Sequence, residues 1–441
     1  MLKLPWQHLY FSGCGGVGMA GLAQIACDLG LRVSGSDAVD SEYLDLLRQR
    51  GCQIKVGQDG SLPEDVDLLV YSSAVPADNP ERFRADRRGL ASCVRGAFLA
   101  RLAEFFPRVV AISGSHGKTT TTAMLAYLAT KAGVQPGFLI GGRVEGWSVS
   151  ATAGCGQMLI TEVDESDGTQ ALLSASLGLV LNIDDDHCWS LGGVQALEDC
   201  FREFAGKAEK VLAWDSDATR RVLGQLPQCQ FLDLHLAEMI GNLPQPGLHN
   251  RQNAAIAIRA AHELGFTTEP AALASFPGVS RRLSQHWISA DKSRVLMEDY
   301  AHHPTELQAS LDALREQWPR HELWIIFQPH RFERVKRYAG EFARILTAAN
   351  RVWIAAPFAA WKEDSSIADP RNIVTRINAE NPGKAIYLNS NSEEVCAALT
   401  PELATSKPVL LAVIGAGDIG KTLKPLGEAW KKCAGGAVRG A

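Results

Sequence analysis

The sequence has no Cys-x-x-Cys pair among its ten cysteines, which argues against a zinc ribbon or a disulfide scaffold. No apolar run approaches the ~20 residues of a membrane-spanning helix. The opening stretch "MLKLPWQHLYFSGCGG" lacks the apolar core of a secretion signal. No excess of one charge exists either: 44 Lys and Arg face 49 Asp and Glu, for a net charge of −5. That removes the electrostatic reason to expect nucleic acid or an anionic membrane as a partner. Low-complexity tracts and short-period repeats are missing too. A cytoplasmic protein, monomeric or weakly dimeric, is expected.

What is present is length and glycine-punctuated apolar segments. A chain of 441 residues exceeds one ordinary core, so two or three domains are expected. Three stretches share one grammar: an apolar run, a glycine turn, then a helical pattern. They are "HLYFSGCGGVGMAGLAQIACDLG", "RVVAISGSHGKTTTTAMLAYLATKAG" and "VLLAVIGAGDIGKTL". Further buried strands are expected at "DLLVYSSAV", "QMLITEVDES", "LGLVLNID", "KVLAWD", "RVLMEDY", "ELWIIFQP" and "RVWIAAP", with helices at "HNRQNAAIAIRAAHELG" and "PTELQASLDALREQ". This alternation predicts an α/β fold with mainly parallel sheets. Joints near "FFPRVV" and "RRLSQHWISADKSRV" divide the chain into three α/β domains: 1–107, 108–285 and 286–441.

Two of the turns carry phosphate chemistry. "GCGGVG" sets Gly13, Gly15 and Gly18 in G-x-G-x-x-G spacing. Such glycines admit a diphosphate to the backbone at a helix N-terminus, and Asp37 stands where an acid can bind a ribose hydroxyl. Tight strand–helix packing selects the same glycines. In "GSHGKTT", Gly114 and Gly117 free the backbone, Lys118 can reach the terminal phosphates of ATP, and Thr119 can offer its hydroxyl to Mg²⁺. The common pattern G-x-x-x-x-G-K-[ST] wants a glycine where Ile112 stands. Ile112 reads instead as the end of a buried strand.

Later strand ends supply metal and substrate candidates. "LITEVDESDG" holds Glu162, Asp164, Glu165 and Asp167, and "LNIDDDHCW" holds Asp184, Asp185, Asp186 and His187. Carboxyl ends of strands are where open α/β sheets bind ligands, although acid clusters are often just solvated loops. "EDYAHHPTE" and "FQPHRFERV" bring Asp299, Tyr300, His302, His303, His330, Arg331 and Arg334 to two further strand ends. Arginines there suit a carboxylate through paired hydrogen bonds.

Taken in order, "GGVGMAGLA", "SGSD", "SSAV…DNPE", "GSHGKTTTT", "EVDESD", "NIDDDH", "GLHNRQNAA", "DYAHHPTE", "QPHRF" and "GAGDIGK" resemble the Mur ligase family over nearly the whole chain. The resemblance implies a Rossmann-like UDP-sugar domain, a central phosphate-loop ATPase and a Rossmann-like C-terminal domain. It implies ATP and Mg²⁺ as cofactors, with UDP-N-acetylmuramate and a small amino acid, L-alanine foremost, as partners. Carried over by motif, Gly15, Gly16, Val17, Gly18, Asp37 and Ser73 would hold the UDP-sugar. Gly114, Ser115, His116, Gly117, Lys118, Thr119, Thr120, His249, Asn250, Asn253 and Arg282 would hold ATP. Thr119, Glu162 and His187 would ligate magnesium. Tyr300, His302, His330, Arg331 and Arg334 would surround the amino acid, with Lys118, His302 and Arg331 closest to the chemistry.

Three departures stand out. The segment 231–247 is short, "RGAFLARL" lacks the family's acid, and "SRRLSQHW" lacks its aromatic–acid pair. They leave open a related muropeptide ligase that adds another amino acid or a recycled peptide. "GCGGVG" alone would also fit a nicotinamide-dependent oxidoreductase, which leaves "GSHGKTT" unexplained.

Overall fold

The computed structural model describes residues 4–166, 168–186, 188–241, 243–266, 268–359, 365–389 and 392–436. Three sheets form in chain order. The first is wholly parallel, built from β1 (His8–Ser12), β2 (Arg32–Asp37), β3 (Gln53–Val56), β4 (Leu68–Tyr71) and β5 (Ser92–Val94) in the order 3-2-1-4-5. The strand order reverses at β1, so the crevice beyond its carboxyl end is the natural ligand position of such a sheet.

The second sheet contains β6 (Arg108–Ser113), β7 (Gly137–Leu139), β8 (Ala151–Thr152), β9 (Met158–Glu162), β10 (Leu177–Val180), β11 (Lys210–Trp214) and β12 (Cys229–Leu232). Its order is 12-11-10-6-9-7-8, parallel except for the β7–β8 edge pair. β6 reads "RVVAIS" because both its faces are covered. Val109 and Ala111 join one apolar cluster, while Val110 and Ile112 join the other. Ile112 is buried inside this strand, which explains why no glycine stands there. The helix Lys118–Lys131 lies on one face, buried from Thr120 to Ala129.

The first cluster runs without a break from Leu9 and Phe11 of the first sheet to Leu139, Ala151 and Leu159 of the second. These two sheets accordingly share one compact unit, residues 1–244 with 249–279. The third sheet belongs to a second unit, 245–248 with 280–441. It comprises β13 (Ser284–Ile288), β14 (Arg294–Asp299), β15 (Glu322–Phe327), β16 (Arg351–Ala355), β17 (Ala385–Leu388) and β18 (Val409–Ile414), ordered 13-14-18-15-16-17. Only the β13–β14 pairing is antiparallel. After β18 a short 3-10 turn, Ile419–Thr422, precedes the helix Leu423–Gly436, so this glycine turn does not open its helix directly.

Candidate active site

The turn after β1 is fastened from behind. The N–H groups of Gly13 and Cys14 donate to the carbonyl of Ser36, at 2.8 and 3.0 Å. Gly15 donates to Asp37 Oδ2 at 2.7 Å, and Ser41 Oγ donates to the Gly15 carbonyl at 3.0 Å. The helix Val17–Asp28 then starts at Gly16 with no side-chain cap and no acid in its first turn. Its partial positive end is left for an anion. Ser73 is exposed in the loop after β4, the neighbour of β1. Gly15, Gly16, Val17, Gly18, Asp37 and Ser73 therefore share the carboxyl edge of one sheet.

The turn after β6 has a cation at its centre. Gly117 caps the helix Lys118–Lys131 with φ +85°, a conformation that favours glycine, and a Cβ there would meet Asn253 Oδ1 at 2.6 Å. Lys118 Nζ donates to the Gly114 carbonyl at 2.5 Å and to both oxygens of Glu165, at 2.8 and 3.0 Å. Glu165 is 1% exposed. Burial pushes its carboxyl up to about 7 against the pull of Lys118. Burial also works against the charge on Lys118, but Glu165, Asp164 and Glu162 outweigh it and hold the ammonium above its ordinary range.

The acid motifs reach this turn because β9 and β10 are the two neighbours of β6. From the β10 side, Asn182 Oδ1 accepts the His116 N–H at 2.8 Å, and Asp184 Oδ2 lies 2.9 Å from His116 Nε2. Ser115 exchanges hydrogen bonds with the backbone of Asp184. His116 is thus tied into the loop. Thr120 is buried in the first helical turn. Asn253, one turn beyond the buried Asn250, accepts from Thr121 at 3.2 Å behind the loop, and His249 is half-buried at the start of the same helix.

From the β9 side, Glu162 Oε2 accepts the Thr119 hydroxyl at 2.7 Å. Gly141 makes room for this carboxylate: a Cβ there would fall 1.6 Å from Glu162 Oε1. Two hard oxygen donors in one cradle fit a magnesium ion. His187 and Asp167 lie outside the described residues.

In the second unit, "DYAHHPTE" follows β14 and "QPHRF" follows β15, with β18 between them. The rings of Tyr300 and His302 lie 5.5 Å apart, and those of His302 and His330 5.6 Å apart. His302 Nδ1 is 3.0 Å from the Tyr300 carbonyl, a contact that needs a proton on Nδ1 and makes Nε2 the basic nitrogen. His303 is a helix cap, accepting the Thr305 N–H on Nδ1 while Glu306 reaches back. Arg331 precedes the helix Phe332–Leu346 at φ +71° and donates its N–H to the Phe358 carbonyl. Arg334 is buried against His330, 3.2 Å from Nδ1, and supports that ring from below. Arg282 stands with its guanidinium 4.9 Å from the Tyr300 ring centre and 3.8 Å from Glu306.

Sequence comparison fits this geometry. The pattern described as "Mur ligase family, catalytic domain" matches residues 8–107, and "Mur ligase, glutamate ligase domain" matches 281–417. A UDP-N-acetylmuramate–L-alanine ligase of Halorhodospira halophila is 32% identical, over 96% of this chain and 93% of its own length. One of Hydrogenovibrio crunogenus is 33% identical, over 98% and 99%.

The chain belongs to the Mur ligase family.

Two solved structures have the fold of this Mur ligase. The UDP-N-acetylmuramate–alanine ligase of Thermotoga maritima superposes with a TM-score of 0.79 at 23% identity, over 96% of this chain and 99% of that one. A murein peptide ligase of Psychrobacter arcticus gives 0.69 at 22% identity, over 96% and 98%.

Several residues of this Mur ligase escape motif reading. Glu81, 0% exposed, accepts from the hydroxyls of Tyr10, Ser12 and Ser36 at 2.6, 2.6 and 2.7 Å, and so anchors the strand ends that carry the first turn. Its only sequence signal is its place in "DNPE". Gly141 was signalled by a glycine pair directly after a short apolar run. Arg281, not Arg282, is the anchored arginine of "SRRL": it donates to Glu298 and to the carbonyls of Gly415 and Gly417. Phe358 stacks on His330 with an interplanar angle of 12°, and no motif announced it.

Proposed function

We propose that this chain joins an amino acid, L-alanine foremost, to the lactyl carboxylate of UDP-N-acetylmuramate at the expense of ATP. The observation that carries this reading is the paired set at the second turn: Lys118 on Glu165, and Thr119 beside Glu162. The names of the relatives cited above support the choice of substrates. In this reading 1–107 takes the nucleotide sugar, 108–285 takes ATP and 286–441 takes the amino acid. The setting is the cytoplasm, where ATP and nucleotide sugars are available.

A carboxylate is a poor electrophile, so its oxygen must first accept the γ-phosphoryl group, with departure of ADP. Lys118 holds that group and neutralises its charge during transfer. Thr119 and Glu162 would hold magnesium, with His187 as a further ligand. The ion supplies charge neutralisation on the phosphoryl oxygens. The amine then attacks the acyl phosphate, and phosphate leaves. Arg331 would pair with the carboxylate of the incoming amino acid. His302 Nε2 would take the proton that the attacking ammonium must lose. Fixing both substrates brings the reacting atoms together.

The test is phosphate release measured across a panel of amino acids and peptides, with ATP, magnesium and UDP-N-acetylmuramate present. Release that needs both the sugar and an amino acid, fastest with L-alanine, is expected. Release with a recycled peptide alone would move the chain to the muropeptide ligase reading. No release with any acceptor would overturn the ligase. His302→Ala should slow amide formation more than acyl-phosphate formation; equal loss in both steps would remove its role as base.

A further inference from the structure

Two cysteines meet at the back of the first sheet's helices. Cys27 lies in the last turn of the helix Val17–Asp28. Cys52 follows the helix Glu42–Gln49 and directly precedes β3. Their Sγ atoms are 3.1 Å apart, across 25 residues of sequence. Both are free thiols; Cys27 is half-buried and Cys52 is buried. The sulfurs need to close by about 1 Å to reach bonding distance.

More than a choice of rotamers holds them together. Asp28, next to Cys27, forms an ion pair with Arg50, two residues before Cys52. The same two points of the chain are thus clamped beside the sulfurs. Turn hydrogen bonds fix both flanks: Leu31 donates to the Ala26 carbonyl at 3.0 Å, and Cys52 donates to the Leu47 carbonyl at 3.1 Å. Asp28 Oδ2 also accepts from the Thr152 hydroxyl at 2.7 Å and the Ala153 N–H at 3.0 Å, which ties this corner to the second sheet. The pair is chemically disposed to react. The hydrogen bond from Cys27 holds the Cys52 thiol below its ordinary range, and the Arg50 guanidinium acts in the same sense against burial. A thiolate beside an arginine is the reactive form of cysteine.

We propose that Cys27 and Cys52 are a reversible disulfide site, oxidised by small-molecule disulfides and reduced again by small thiols. Cys27 is the sulfur that the oxidant reaches. The pair gives up one proton, and the proton that remains between the sulfurs passes to Cys52 as Cys27 attacks the oxidant R–S–S–R. A Cys27–S–S–R bond forms, and RS⁻ leaves and takes up the first proton. Cys52 then loses its proton and attacks the Cys27 sulfur, forming the Cys27–Cys52 bond and expelling the second RS⁻, which is protonated in turn. Two electrons pass from the thiol pair to the oxidant, and two small thiols are released. The new bond closes a ring that contains Asp37 and Ser41, the two side chains that fasten Gly15. Oxidation therefore braces the first turn from outside, without occupying it. This inference does not depend on which substrates the ligase takes.

The test equilibrates the full chain, without denaturant, in glutathione buffers from fully reduced to fully oxidised. Free thiols are then alkylated and the peptides mapped by mass spectrometry. A Cys27–Cys52 link that dithiothreitol reverses is expected. Amides between the two cysteines should exchange with deuterium about tenfold more slowly, or slower still, in the oxidised chain, because a cross-link restricts opening of the segment it encloses. Cys27→Ser and Cys52→Ala should each abolish both changes. Cys52→Ala should leave a glutathione adduct on Cys27, the trapped intermediate. No link at any buffer ratio, or a link formed only after urea unfolding, overturns the site. A link that leaves amide exchange unchanged overturns the brace.

Discussion

The turn after β1 and the turn after β6 both leave a parallel strand and enter a helix, and a buried carboxylate stands behind each. Behind the first, Glu81 accepts from three neutral hydroxyls, with Lys55 no closer than 3.6 Å. Behind the second, Glu165 accepts from the ammonium of Lys118. Three short hydroxyl bonds bind a carboxylate into the scaffold. A shared lysine is different, because an incoming phosphate can compete for it. The first turn is therefore a preformed cradle. In the proposed reading, the second holds its cation in reserve for a phosphate.

Removing Lys118 tests that contrast most severely. Lys118→Ala should lower turnover by about a thousandfold, as expected when one charged group is lost from a transferred phosphoryl, while nucleotide-sugar affinity stays constant. Steady-state rates and direct titration read the two effects. Full activity would dissolve the phosphate-loop assignment. At the first turn, Glu81→Leu should act on stability instead. It strands three buried hydroxyls, which predicts a loss of about 3 kcal/mol in urea unfolding. A loss below roughly 0.5 kcal/mol, within the usual range for surface changes, would show that the network anchors nothing.

The smallest effect is a pH slope confined to the second turn. The Glu165 carboxyl is raised from about 4.5 to about 7, so the folded chain holds this proton more tightly than the unfolded chain. The associated stability is complete below the unfolded value and is lost as pH rises through the folded one. Lys118 keeps its proton in both states over that window and adds no slope. The stability of wild type relative to Glu165→Gln should fall between pH 4.5 and 7, measured by thermal unfolding. A flat difference would mean that Glu165 is ionised throughout.

Much of this was legible locally. Every apolar run named as a strand became one, because parallel strands covered on both faces need unbroken apolar sequence. Ile112 was readable as the end of β6, with the turn starting at Gly114. The helical stretches at 248–263 and 304–317 follow from their own patterns and, for the second, from the His303–Glu306 cap. Glu81 and Phe358 were not legible as site residues. Each gains its role from a partner distant in sequence: Glu81 is 69 residues from Ser12, and Phe358 stacks on His330 from a separate strand end.

The sequence by itself determined the kinds of parts: strand–turn–helix units, glycines where a backbone must turn or approach, one lysine at the end of a glycine turn, and acids and histidines at strand ends. These are local properties, set by a residue's own conformational range and side-chain chemistry. Which acid serves which donor was decided by tertiary structure. Strand order places β9 and β10 on either side of β6, so Glu165 meets Lys118 and Glu162 meets Thr119, across 47 and 43 residues. No pattern within "EVDES" distinguishes those two glutamates; only the pleat of β9 and the loop beyond it aim them at different partners.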